Sequence, residues 1–173
     1  MNIWRKFLTD YRWRYVLSFA LGLFFSILTS DIPFIADRLK GLVIATHYND
    51  LLTQLTLWHL NVFCIPAILI DNQIVVGLSK FYFDYGCLGI RHLTLFAFFI
   101  LFYFGSLKHK LAYILLGFLI LTFANVSRAT LIGIAIYINP LWFDFVHEYG
   151  SMIFLYGTIF LLWIVWAKRV NSD

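Results

Sequence analysis

The chain's 173 residues are 62% hydrophobic and 20% aromatic, only 13% are charged, and the mean hydropathy is +0.83. Soluble domains carry about 25% charged residues, and a folded chain of this size exposes too much surface to hide this apolar content in one core. A soluble globular protein is therefore excluded, and lipid is the solvent for most of the chain.

The net charge of +4 does not mark a nucleic-acid partner, because the basic residues sort by position along the chain. Arg5, Lys6, Arg12 and Arg14 precede the first apolar run, Lys108 and Lys110 separate two later runs, and Lys168 and Arg169 follow the last. The acids Asp31, Asp37, Asp50, Asp71, Asp84, Asp144 and Glu148 occupy the other connections. Lys and Arg mark cytoplasmic loops. Both termini and the 105–110 loop are therefore expected inside, with 31–87 and 139–147 outside.

The first predicted span covers roughly 15–34 and reads as a retained signal anchor, since the run is long for a cleavable signal and lacks a small-residue cleavage site. The outer segment, 35–87, follows. From Ile35 to Leu60 its apolar residues recur at helical spacing between Asp37, Lys40, Asn49, Asp50 and Gln54, which predicts amphipathic helices on the membrane surface or against the other spans. After Pro66 come AILI, the turn residues DNQ and then IVVGLSKFYFDYG, a pattern that predicts a small β-hairpin leading to Cys87.

Three further spans are predicted at roughly 88–104, 111–131 and 149–167. The runs are continuous rather than alternating, so helices are expected and a barrel is not. The fold class is thus an all-α integral membrane protein with about four transmembrane helices and an outer helix-and-hairpin segment, all within a single membrane domain, 1–173.

Reactive side chains gather at one depth. Cys87 opens the second span at its outer end, and His147 opens the fourth at the same side. The third span enters from inside near Leu111, and at about 1.5 Å per residue Arg128 stands roughly 25 Å up the helix, near the outer surface. A thiol needs a nearby base or cation to attack a carbonyl at neutral pH. Histidine can take and return the proton, and arginine can hold an oxyanion. Asn125 lies one turn before Arg128 on the same face and is placed to orient the guanidinium or a substrate.

Ordinary roles are open to the same residues. Arg128 also fits a side chain reaching for headgroups, and His147 an interfacial hydrogen bonder. Arg91 and His92 fit headgroup binding or support of the site, while Asp144 and Glu148 fit either partners of the imidazole or a solvated rim. His47, His59 and Cys64 lack a zinc-binding spacing, and no metal or cofactor is implied.

The order C-x-G-I-R at 87–91, A-N-x-x-R at 124–128 and His147 before a last span resembles the exosortase and archaeosortase family. The resemblance covers about 35–167 and implies a membrane cysteine transpeptidase with Cys87, Arg128 and His147 as its catalytic residues, supported by Gly89, Arg91, Asn125, Asp144 and Glu148. It further implies a substrate that is a secreted protein ending in a short motif, an apolar helix and a basic cluster. The tail would be cut at the outer face of the cytoplasmic membrane through a thioester. An amine or hydroxyl on an envelope glycan or lipid, or water, would then resolve that thioester.

Leu88 stands where family members commonly carry Ser or Asn, and four spans stand where many members have about eight, as in a compact form. Leu88 keeps a second class of function in view, a non-catalytic scaffold that binds sorting tails, and a third is a small transporter or channel subunit with Arg91 and Arg128 along an anion path.

Overall fold

Helix satisfies its own backbone in lipid, and it dominates the computed structural model, which describes residues 11–30, Ile32, Arg38 and 43–172. In chain order the elements are α1 (Tyr11–Ser30), α2 (Val43–Val62), β1 (Ala67–Ile70), β2 (Gln73–Val76) and β3 (Ser79–Phe81). A 3₁₀ turn (Tyr85–Cys87) leads into α3 (Ile90–Phe102) and α4 (Leu107–Ile138), and a second (Pro140–Trp142) into α5 (Phe143–Ser151). A π-helical turn (Met152–Tyr156) joins α5 to α6 (Gly157–Ser172). Arg5, Lys6, Asp31, Asp37, Lys40 and the predicted helix start at Ile35 lie outside the described residues.

Among the described residues two helical stretches, Leu107–Ile138 and Pro140–Val170, are long and apolar enough to cross a membrane, where the sequence pattern predicts four. The other apolar helices, Tyr15–Thr29 and Ile90–Phe102, are shorter. The 13 residues of α3 rise about 20 Å, less than the hydrocarbon core of about 30 Å.

Helix α4 runs beyond the predicted 111–131 at both ends. It stops at Asn139, whose extended backbone (φ −158°, ψ 116°) is the conformation that the following Pro140 imposes. The predicted fourth span begins earlier than expected, at Phe143, and the π turn interrupts it before α6.

One face of α4 explains its length. Leu115, Leu119 and Phe123, spaced four apart, are 68%, 64% and 62% exposed, a stripe suited to lipid. The opposite face packs. At its lower end Tyr113 and Leu121 join Phe96, Phe99, Ile100, Trp163 and Trp166 in a core shared by α3, α4 and α6. Phe99 and Trp163 stack at 4.3 Å, and the Tyr113 hydroxyl donates to the Leu162 carbonyl at 2.8 Å. Gly117 permits this closeness, since a Cβ there would lie 2.1 Å from the Phe96 ring.

A second core sits around the upper half of α4, where Val126, Ala129, Ile132 and Ile136 meet Leu52 and Leu60 of α2 and Ile74, Val76 and Phe83. Helix α2 therefore packs against α4, a helix long and apolar enough to cross a membrane, and the Tyr48 and Thr122 hydroxyls meet at 3.1 Å. The predicted hairpin is a three-stranded antiparallel meander in the order β1-β2-β3. Asp71 and Asn72 take positive φ (47° and 61°) and make the first turn, so Gln73 belongs to β2 opposite Ile70 rather than to the turn. The long branched run after it breaks at Gly77 and Leu78, and Val76 pairs with Ser79 across that break.

Candidate active site

Cys87 closes the 3₁₀ turn that follows the meander, its N–H donating to the Asp84 carbonyl at 2.8 Å. The thiol is free and half-buried. Two residues later Gly89 adopts φ 76°, a left-handed conformation that redirects the chain into α3. A side chain there would be strained, and its Cβ would press to 3.3 Å from Nδ2 of Asn125.

Asn125, 1% exposed, joins the two halves of the site. Its Nδ2 donates to the carbonyl of Cys87 at 3.0 Å, and its Oδ1 accepts from Nη1 of Arg128 at 3.3 Å. The three-residue spacing on α4 puts both side chains on one helical face. Arg128 is 3% exposed, and its buried Nε has no hydrogen-bond partner among the described residues. A buried guanidinium with an unused donor is costly unless something completes it.

His147 arrives from α5, with Nε2 3.5 Å from the Cys87 sulfur. Phe143, one turn earlier, stacks on the imidazole with centroids 5.4 Å apart and planes at 19°. Arg128, Asp144 and Glu148 are the charges that act on this ring. Cys87, Arg128 and His147 all line one pocket of about 250 Å³, with residues 80–84, Ala129, Ile132 and Phe143 forming the rest of its wall.

The other sequence-level candidates fall around this centre. Gly89 and Asn125 stand behind Cys87 and do not line the pocket, while Asp144 and Glu148 are exposed and do not line it either. Arg91 is also exposed and does not line the pocket, and its carbonyl accepts from the Ser26 hydroxyl at 3.0 Å, tying α1 to α3. Leu88 is 4% exposed and belongs to the second core, around Val126 and Ile132 of α4, so the position after the cysteine is a packing position here. His92 packs its ring on Tyr156 of the π turn at 4.6 Å.

Sequence reasoning passed over Phe143 and the wall formed by 80–84. The first carried a signal, its spacing of four from His147 within one helical stretch. The second carried only its place immediately before Cys87.

A family model described as transmembrane exosortase matches residues 7–164. No curated protein and no solved structure matches the chain.

Proposed function

The chain belongs to the transmembrane exosortase family, and from that premise we propose that it is a membrane-embedded cysteine peptidase or transpeptidase acting on C-terminal sorting tails of secreted proteins. The observation that carries this reading is the thiol of Cys87 facing Nε2 of His147 at 3.5 Å beside a buried Arg128 with an unused donor. A transporter needs a path for its solute. A peptidase needs a nucleophile, a base and an oxyanion donor at one point, and these three residues share one pocket.

In this mechanism His147 takes the thiol proton, and the Cys87 sulfur attacks the scissile carbonyl carbon. The oxyanion that forms is stabilised by the guanidinium of Arg128, which lines the pocket and whose orientation Asn125 holds. Collapse breaks the C–N bond, His147 returns the proton to the leaving amine, and a thioester remains on Cys87. An amine or hydroxyl of an envelope glycan or lipid, or water, attacks that thioester with His147 again as base, restoring the free thiol.

The membrane arrangement belongs to the same proposal. Helices α1 and α3 cross beside the two long stretches, both termini face the cytoplasm, and the pocket opens at the outer face of the cytoplasmic membrane. The substrate's apolar helix then runs beside these spans with its basic end inside and its recognition motif at the pocket. Leu88, the residue that favoured a non-catalytic scaffold, is buried in the core and does not line the pocket.

Co-expression with a candidate tailed protein, followed by the mass of the product's new C-terminus, tests the reading. Cleavage by the wild type that is lost in Cys87→Ala, Arg128→Ala and His147→Ala is the expected result. Uncleaved tail that co-purifies equally with every form would replace the peptidase with a scaffold.

A further inference from the structure

Five consecutive residues, 80–84, line the pocket that holds Cys87. β3 ends at Phe81, and side chains of a strand alternate between its two faces, so a cavity touched by all five residues runs along the end of β3 and the segment that continues it toward Cys87.

Among the described residues the outer edge of β3 is open: β3 is the last strand of the sheet, paired on one side only. In the central strand the register sets Val75 opposite both Ile68 and Lys80. The two-residue turn at Asp71 and Asn72 makes Ile70 and Gln73 a hydrogen-bonded pair, and the alternation of an antiparallel ladder then directs the backbone groups of Val75 to Ile68. Lys80 therefore sits in the pair that exchanges no bonds, and its own N–H and C=O point to the free edge.

The neighbouring groups are spoken for in alternation. Ser79 and Phe81 pair with Val76 and Ile74, and the Phe83 carbonyl accepts from Nδ2 of Asn49 at 3.3 Å. The Asp84 carbonyl accepts from Cys87. Lys80 and Tyr82 are left with their backbone groups on the other side, unpartnered among the described residues.

An edge of this kind, ending a few residues before a nucleophile, is a template for an extended peptide. We propose that the substrate's recognition segment binds as a fourth strand along β3, exchanging main-chain hydrogen bonds with Lys80 and Tyr82, so that its scissile carbonyl is delivered to Cys87. Main-chain bonds supply the affinity in this mode, and the pocket walls select alternate side chains. The inference rests on the peptidase reading and specifies how that site takes its substrate.

Two measurements test it, both with the full-length protein and a tailed protein that the wild type cleaves. The first compares Lys80→Pro with Lys80→Ala. Proline removes the free-edge donor and no ladder bond, a position at which edge strands accept it, while alanine removes only the side chain. Cleavage by Lys80→Pro is expected to fall at least about tenfold below that by Lys80→Ala, with labelling of Cys87 by a thiol reagent retained as the sign of an intact fold. Equal rates in the two variants overturn the inference.

The second measurement covers a proline variant that does not fold. Wild-type protein is given synthetic peptides spanning the same cleavage site, each with one backbone amide methylated. Loss of cleavage at every second position is the expected result, because only alternate amides of an added strand face β3. Sensitivity without that alternation overturns strand addition while leaving the peptidase in place. A wild type that cuts no tail at all removes the peptidase reading and this inference together.

Discussion

The carbonyl of Cys87 and the guanidinium of Arg128 are held by the same amide: Asn125 donates to the first at 3.0 Å and accepts from the second at 3.3 Å. The 3₁₀ turn that carries the thiol is thereby fastened to the helix that carries the cation. Asn125→Ala should cut the rate of processing by at least about tenfold, up to the roughly hundredfold to thousandfold that loss of an oxyanion donor itself costs. The thiol itself should still label with a reagent. A variant that processes tails at the wild-type rate would show that Arg128 holds its place without Asn125.

Gly89 should be irreplaceable where a nearby glycine is not. Alanine at position 89 must adopt φ 76° and bring its Cβ to 3.3 Å from Nδ2 of Asn125, whereas at Gly86 an added Cβ meets nothing within 4 Å. Gly89→Ala is expected to destabilise the fold by about 1–2 kcal/mol through backbone strain and to lower processing further by displacing Asn125. Thermal unfolding in detergent should show a clear fall in Tm for Gly89→Ala and little change for Gly86→Ala.

Phe143 keeps the His147 ring facing the thiol. Replacing it with Leu removes a stacked pair worth about 0.5–1.5 kcal/mol and should slow cleavage by roughly twofold to tenfold, whereas Phe143→Tyr should retain most of the rate. Single-turnover kinetics locate the loss. It should fall on formation of the thioester, in which His147 takes the proton, and not on substrate binding.

How far the sequence could reach depends on what each feature costs in lipid. Cys87, Arg128 and His147 stand out in the sequence because polar groups are expensive there, so three of them expected at one depth form a signal above the apolar background. Asn125 was legible from helical spacing alone. The length of α3 was not, because its apolar run continues beyond the residues that stay helical. The third strand was hidden for a related reason. Gly77 and Leu78 look like a continuation of a branched run, and only the pairing of Val76 with Ser79 turns the chain there.

Helix packing in the lower core gives a prediction independent of catalysis. Gly117→Val places its Cβ within 2.1 Å of Phe96 and forces α3 and α4 apart, a cost of about 1–3 kcal/mol for overpacking. Leu119→Val, on the exposed stripe of the same helix, should leave Tm nearly unchanged. Equal melting of the two would mean that α3 does not pack on α4 through this glycine.

The central claim is that Cys87 attacks the tail, and its most direct test is the intact mass of the protein after acid quenching with a tailed substrate. The account predicts an adduct of the size of the substrate's retained portion on the wild type, located at Cys87 and released by hydroxylamine as a thioester is, with no adduct and no cleavage from Cys87→Ala. Cleavage of the tail by Cys87→Ala, or an adduct on any other residue, would contradict it.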